Sequence, residues 1–242
     1  MLGSGGAAVM LLSGKILRVL LFMVFLAFLF QGAKSLATYS REQIIFFYLS
    51  YNLIDTLAQL FFREVYRFRS LVVSGNFDLI LFKPMSPLIR VLLGGADLLD
   101  LIMLFLLTAL TTAFAWQNLH PTFMDILLYV ILLANSLAIA AAFHIFVLGL
   151  GIITTSVDHL IMIYRDLTSM MRIPVDLYVQ PLRFLLTFVL PLGIMITFPS
   201  QAFLGLLSWQ GVTVSLLFGI IAIFLSLRFW KFALTKYSSA SS

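Results

Sequence analysis

Long apolar segments alternate with short polar ones along almost the whole chain. Segments dense in Leu, Phe, Ile and Val cover residues 17–36, 44–62, 98–116 and 212–227, and another begins near residue 123. Each is close to the ~20 residues that an α-helix needs to cross the hydrocarbon core of a bilayer. The pattern therefore predicts a bundle of membrane-spanning helices joined by short polar segments.

Polar interruptions make the region between residues 144 and 205 ambiguous, and two interpretations compete. In the first, the span that begins at residue 123 continues to about residue 147. An amphipathic helix then lies along the cytoplasmic face, where such helices bury one apolar side in the interface. The fifth span in this interpretation covers residues 184–198.

The second interpretation divides the same region differently. The fourth span covers residues 123–143, the fifth covers residues 146–170, and a helical hairpin at residues 181–200 dips into the outer leaflet and returns. Both interpretations give six crossings, with the two termini on the same side of the membrane.

The composition of the 242 residues agrees with a membrane protein, because 62% are hydrophobic and only 10% are charged. Soluble globular domains contain ~45–50% apolar and ~25% charged residues. The excess of apolar side chains must face lipid, so residues 1–242 are predicted to form one all-α integral membrane domain. The chain has no cysteine, which excludes disulfides, thiolate zinc sites and cysteine nucleophiles.

Basic residues are concentrated on one side of the predicted bundle. Since cytoplasmic loops carry an excess of Lys and Arg, we expect this side, with both termini, to face the cytoplasm across the plasma membrane. Lys34 and Arg41 fall on the other side, whereas Arg165, Arg172 and Arg183 depend on the ambiguous region. The net charge of +5 therefore indicates orientation and no nucleic-acid partner. The ten basic residues on the cytoplasmic side are Lys15, Arg18, Arg63, Arg67, Arg69, Lys83, Arg90, Arg228, Lys231 and Lys236.

Signals for catalysis are absent from the sequence. Ser13-Gly14-Lys15 resembles the end of a phosphate-binding loop, but Val9 occupies the position where that motif needs its first glycine. The three histidines are too dispersed for a helical metal pair, and no nucleophile or dinucleotide motif occurs. We therefore expect neither an enzyme nor a metal site.

A polar stripe runs along the second span, where Asn52, Asp55 and Gln59 share one helix face. Asp55 lies near mid-membrane, where a carboxylate is costly and faces the bundle interior or a wet cavity. The stripe either lines a translocation path or forms structural hydrogen bonds and ion pairs between helices. Asn135 and Ser136 in the fourth span leave the same two interpretations open. A stand-alone secondary transporter or channel that uses Asp55 as an ion site is an alternative function.

The main hydrophilic segment, residues 63–92, carries a distinctive pattern between the second and third spans. The pattern predicts a short helix capped by Asn76 or Asp78, a break at Lys83-Pro84, and a second helix capped by Ser86 with Pro87 at its first position. Apolar side chains in so basic a segment would make a poor surface for water, which indicates a contact with a protein or with the membrane surface. These apolar side chains are Phe77, Ile80, Leu81 and Phe82.

This segment resembles the cytoplasmic loop of ABC-2 type transporter permeases, in the branch with the signature Gly-x-Leu/Phe-Asp-x-x-Leu-x-[Lys/Arg]-Pro-[Leu/Met]-Ser-Pro. Residues 173–178, 186–191 and 198–199 resemble the same branch, and the likeness extends over residues 17–236. The start departs from it, because such permeases have a longer basic amphipathic segment than the one before Lys15. The matching positions are Gly75, Phe77, Asp78, Leu81, Lys83, Pro84, Met85, Ser86 and Pro87.

The resemblance implies a six-span permease bundle with a cytoplasmic coupling helix between spans two and three and a re-entrant hairpin before span six. It implies an exporter subunit that docks on a separate ABC ATPase, where ATP and Mg²⁺ bind, so that this chain itself holds no cofactor. It also implies a second permease subunit, identical or related, beside it in the lipid bilayer. The residues implied for the coupling loop are Gly75, Phe77, Asp78, Leu81, Lys83, Pro84, Ser86, Pro87 and Arg90.

Overall fold

The computed structural model describes residues 5–32, 35–154 and 158–237. Lys34, which was predicted on the outer side, lies outside the described residues. Two-residue strands β1 (Ser35–Leu36) and β2 (Tyr39–Ser40) pair antiparallel. The helices are α1 (Gly5–Leu29), α2 (Arg41–Phe62), α3 (Phe68–Val73), α4 (Asn76–Leu81), α5 (Pro87–Leu93), α6 (Leu98–Asn118), α7 (Phe123–Thr154), α8 (Asp158–Met170), α9 (Leu182–Phe184), α10 (Phe198–Phe203) and α11 (Trp209–Thr235), with 3₁₀ turns at Arg63–Arg67 and Val175–Leu177 and π-helical turns at Leu185–Val189 and Gly193–Thr197.

Five helices of the described chain are long and apolar enough to cross a membrane: α1, α2 with its continuation to Val73, α6, α7 and α11. The all-α membrane bundle is thereby confirmed. The first span is shifted from its predicted bounds of 17–36, because α1 already begins at Gly5 and ends at Leu29. Lys15 and Arg18 do not mark its start, since both lie inside the helix and pair with carboxylates of neighbouring helices, Asp100 and Asp55.

The predicted boundary between spans at residues 143 and 146 is wrong. Helix α7 runs without interruption from Phe123 to Thr154. His144, the polar residue at that boundary, is buried and its Nδ1 bonds the carbonyl of Ala140 at 2.7 Å. Because its own helix satisfies it, this histidine does not break the helix.

The following helix, α8, is too short and polar to be recognised as a span, yet its contacts place it across the bundle. Arg165, in the middle of α8, lines a cavity with Arg63 at the carboxyl end of α2. Six residues after the end of α8, Asp176 accepts a 2.6 Å hydrogen bond from Tyr39, just before α2 begins. The segment 158–176 therefore extends along α2 between its two ends, and its helix begins at residue 158 and not at the predicted 146.

The predicted hairpin corresponds to two helical arms, Leu182–Val189 and Gly193–Phe203, that meet at an angle of 76°. Asp176 forms an ion pair with Arg183 at the start of the first arm and accepts a hydrogen bond from Gln201 near the end of the second. Since the first arm begins and the second arm ends beside the same carboxylate, the segment enters and leaves on one side, as a re-entrant hairpin does. The interpretation in which residues 184–198 cross the membrane is therefore wrong.

Contacts at the opposite end of the bundle bring the first and last helices together with the segment 63–97. Lys15 of α1 pairs with Asp100 at the start of α6, and Tyr237 after α11 donates a hydrogen bond to Asp78. We call this end the loop end and the other the hairpin end. The three arginines of the ambiguous region do not share a side: Arg165 lies toward the loop end and Arg183 at the hairpin end.

Helices α7 and α11 pack most closely, along a line of small and polar residues that we call the α7–α11 seam. Gly149 of α7 faces the ring of Phe229, and Gly219 of α11 faces the side chain of Asn135. Small residues permit this close approach of helices in lipid, where burial of apolar surface does not drive association. The seam consists of Asn135, Gly149, Ser215, Gly219 and Phe229.

Candidate functional site

Helix α4 in the segment between α2 and α6 is anchored by Phe77. This side chain is 0% exposed and packs edge-on against Phe68 at 5.2 Å and Tyr237 at 5.2 Å between ring centroids, with Trp230 of α11 at 6.5 Å. Such aromatic contacts fix position as well as bury area. Phe77 thus holds the segment against the membrane domain and does not face outward.

The start of α4 is fixed by two further predicted residues. Gly75 precedes the helix with a φ of +72°, a left-handed conformation that favours glycine. Asp78 accepts a hydrogen bond of 2.8 Å from the hydroxyl of Tyr237. Burial, together with the hydrogen bond to Asp78, raises the pKa of Tyr237 to about 12, so the phenol stays protonated and donates at any ordinary pH. The segment is therefore joined to the end of α11 at two adjacent residues.

The predicted break after α4 is present, and α5 begins after it. Lys83 and Pro84 are exposed. The Ser86 hydroxyl accepts from the backbone N–H of Ile89 at 3.5 Å, and Pro87 is the first helical residue. The chain therefore turns sharply between two short helices, as the sequence predicted.

Arg90 is held by a partner that sequence analysis missed. Its Nη1 lies 3.5 Å from Oε1 of Glu64, whose side chain is almost fully buried, and Arg67 reaches the other carboxylate oxygen at 3.6 Å. Gly95 packs directly on Glu64, where a Cβ would come within 3.0 Å of its backbone nitrogen. The signal that could have found Glu64 is its position, since it is the one acid among the basic residues that follow α2.

Exposed apolar side chains cover the outer surface of α4 and α5. Phe82 is 87% exposed, whereas Phe77 and Ile80 are buried and Leu81 is half-buried. We call the exposed set the apolar patch; it consists of Leu79, Phe82, Met85 and Ile89. Beside it, a groove of about 660 Å³ runs between α4 and Tyr237. An exposed patch of this kind indicates a contact with a protein or with the membrane surface.

The polar stripe of α2 divides into two parts. Asp55 and Gln59 face a cavity of about 360 Å³ between α1, α2 and α8. Gln59 donates to Asp55 at 2.8 Å, and Arg18 lies 3.8 Å from the same carboxylate. Asn52 does not reach this cavity, because it is buried and donates to the carbonyl of Tyr48 in its own helix at 2.7 Å. The cavity is lined by Arg18, Tyr51, Asp55, Gln59, Met162, Arg165, Asp166, Ser169 and Arg172.

A second cavity continues the first toward the loop end. It measures about 290 Å³ and shares Gln59 and Arg165 with its neighbour. Its other walls come from Lys15, Tyr66 and the two arginines that follow α2, Arg63 and Arg67. The two cavities together form a polar route from the loop end into the membrane domain.

Asn135 and Ser136 of α7 form hydrogen bonds between and within helices. Asn135 donates to the carbonyl and hydroxyl of Ser215 at 2.9 and 3.0 Å, which joins α7 to α11, and Ser136 bonds within its own helix.

Within residues 5–32, 35–154 and 158–237, no group of three or more His, Asp or Glu side chains could hold a metal ion.

Comparison with protein families gives one match that covers almost the whole chain. A family model described as "ABC-2 family transporter protein" matches residues 16–241. The matched range includes the apolar patch, the larger polar cavity, the smaller one except for Lys15, and the re-entrant hairpin. A search of curated proteins finds no match.

Proposed function

This chain belongs to the ABC-2 transporter family, and we propose that it couples ATP hydrolysis by a separate ATPase subunit to export of a substrate. Membership makes it a multi-pass membrane protein and the permease subunit of an ABC transporter, a component that works with an ABC ATPase. In this proposal the nucleotide and Mg²⁺ bind on the ATPase, and the chain itself performs no hydrolysis. Export, as opposed to import, is carried by the family resemblance.

The apolar patch is the observation that carries the coupling role. Phe82 projects from the loop end with 87% of its surface exposed, whereas Phe77, five residues earlier, is packed on the aromatic residues of α11. A partner that binds Phe82 therefore pushes on a helix that is attached directly to a membrane span. This arrangement transmits a displacement of the ATPase into the bundle.

Orientation and assembly follow from charge. The basic residues at the loop end favour a cytoplasmic position for this end and for both termini in the plasma membrane. Helix α8 carries Arg165 and Asp166, which are both exposed. Since charges within a membrane bundle face a protein interior or water, we propose a second permease, identical or related, that covers this face and completes the pathway.

The sharpest test changes Phe82 to Glu in the chain expressed together with its ATPase. We expect Phe82→Glu to abolish co-purification of the ATPase and its coupled ATP hydrolysis, because a charge cannot enter an apolar pocket unpaired. Phe123→Glu is the matched control, since Phe123 is also 79% exposed but lies at the hairpin end. Unchanged association of the Phe82→Glu variant would contradict the coupling role.

A stand-alone transporter that binds a cation at Asp55 receives little support from the cavity. Arg18, Arg165 and Arg172 line it together with this carboxylate, and the basic groups disfavour a cation there. Ion-driven transport by the purified chain without an ATPase, lost in Asp55→Asn, would favour that alternative.

A further inference from the structure

The two cavities beside α8 are lined mainly by basic side chains. We call these residues the basic path: Lys15, Arg18, Arg63, Arg67, Arg165 and Arg172. The carboxylates that line the same cavities are Asp55 and Asp166. The walls of a polar route inside a membrane protein therefore carry an excess of positive charge.

Besides Asp55 and Asp166, the acidic residues near the basic path lie behind its walls. Asp100 is fully buried and pairs with both Lys15 and Arg63. Glu64, also buried, pairs with Arg67. A guanidinium has five N–H donors, so one carboxylate behind it orients the group and leaves donors free toward the cavity. The buried carboxylates thus position basic side chains whose remaining N–H donors are available on the cavity side.

Two arginines of this wall have no such support. Within the part of the chain that the structure describes, neither Arg165 of α8 nor Arg172, two residues after the helix ends, forms an ion pair with a carboxylate, and Arg172 lies over the ring of Phe22 at 5.8 Å. Both arginines line the larger cavity. Inside a membrane protein, an arginine without a carboxylate partner is costly unless it serves a function.

Helix α8 lies between the two polar cavities and a third cavity, which is apolar. The opposite side of the helix contributes Leu160, Ile163 and Leu167 to an apolar cavity against α7 and the hairpin. One face of the helix is thus fixed by apolar packing, which directs the charged face toward α1 and α2. The sequence places Arg165 and Ser169 on that charged face at helical spacing, and Arg172 follows the end of the helix by two residues.

We propose that the basic path binds the phosphate group of an anionic substrate during its passage through the permease. Planar guanidinium groups match phosphate oxygens with paired charge-assisted hydrogen bonds. The cavities, about 360 and 290 Å³, have the size of a headgroup or a small anion rather than a large polymer. The inference rests on the proposed function in one respect, namely that these cavities lie on the translocation route.

Binding to the purified full chain in neutral detergent tests the proposal without the ATPase. The probe is phosphatidic acid with a fluorescent acyl chain, and its matched control is the same labelled diacylglycerol, which lacks only the phosphate. We expect fluorescence anisotropy to show at least about tenfold tighter binding of phosphatidic acid. Equal affinity for the two probes would overturn the proposal.

Variants then locate the site. Arg165→Gln and Arg172→Gln are each expected to weaken phosphatidic acid binding by about tenfold, and Arg165→Lys to restore part of the loss. Arg228→Gln is the control, since Arg228 is exposed on α11, stacks at 5.1 Å over Phe224 and lies outside both cavities. Loss of self-association by light scattering in Arg165→Gln, with probe binding unchanged, would assign the arginine to an interface between copies and overturn the proposal.

Competition with inorganic phosphate distinguishes two sources of the bound group. Displacement of the labelled lipid by phosphate supports a soluble anionic substrate, and resistance to displacement supports a lipid headgroup. Neither result depends on ATPase docking, so failure of the Phe82→Glu experiment and failure of this one are separable.

Discussion

The α7–α11 seam and the basic path both place polar groups inside the membrane, and they do so in opposite ways. In the seam, the amide of Asn135 is satisfied twice by Ser215 and enclosed by Gly219. Beside the basic path, Asp55 keeps part of its surface open to a cavity that Arg165 also lines. Closed polar pairs hold helices together, whereas open ones remain available for a ligand.

The largest expected effect breaks the seam by overpacking. A Cβ at Gly219 would lie 2.0 Å from Oδ1 of Asn135, so Gly219→Leu must separate α7 from α11. We expect it to lower the free energy of unfolding by about 3 kcal/mol, measured by unfolding in detergent. In the control, Gly14→Leu, a Cβ meets nothing within 4 Å in the described structure. Equal loss of stability in both variants would contradict the contribution of close packing at the seam to stability.

A smaller effect removes the closed polar pair without adding volume. Asn135→Ala deletes both hydrogen bonds to Ser215 and is expected to cost about 1 kcal/mol, in the range of interhelical bonds in membranes. Asn118→Ala is the control, because the exposed Asn118 donates only to Phe114 of its own helix at 2.9 Å. Chemical denaturation of both variants compares them, and equal midpoints would contradict the role of the pair.

The smallest effect on stability is expected for a substitution of Asp55, beside the basic path. Asp55→Asn keeps a partner for Gln59 and loses only the long contact with Arg18, so the free energy of unfolding should change by less than about 0.5 kcal/mol. The same change removes a negative charge from the cavity and should tighten phosphatidic acid binding by about threefold. A loss of stability as large as that of Asn135→Ala would erase the distinction between the two regions.

This distinction could not be predicted from the sequence, although most of the fold could. Runs of about 20 apolar residues predict a membrane-spanning helix directly, because a helix that faces lipid needs apolar side chains along its length. In the sequence, Asn135 and Asp55 are both polar residues within apolar segments. Which of the two side chains is enclosed depends on the packing of helices that are distant in the sequence. Likewise, the sequence did not show that His144 would be satisfied within its own helix by the carbonyl of Ala140.

Helix α8 was misplaced for a related reason. Its charged face made it look like an interfacial helix or the end of a longer span, since hydropathy counts every residue as though it faced lipid. The cavity between α2 and α8 removes that requirement for Arg165 and Arg172. A span that lines a polar route is therefore the kind of span that hydropathy identifies least well.

The loop segment was predicted better in outline than in detail. The break at Lys83-Pro84 and the Ser86 cap are local signals and appear as predicted. The predicted cap by Asn76 or Asp78 is wrong, because α4 already includes both residues and begins after Gly75, which has no side chain to form a cap. Which aromatic residue points outward depends on Trp230 and Tyr237, about 150 residues later in the chain. For that reason the sequence did not distinguish Phe77, which is buried, from Phe82, which is exposed.

Asp176 ties three segments together at the hairpin end. Its carboxylate accepts hydrogen bonds from Tyr39 of β2 and from Gln201 of the second hairpin arm, and it pairs with Arg183 of the first arm. Gln201 also donates to the hydroxyl of Tyr39 at 3.0 Å, so loss of the Asp176 carboxylate would release the first arm and leave the second arm joined to β2. Among the polar contacts of the described residues, the first arm is therefore the one whose attachment depends on a single carboxylate.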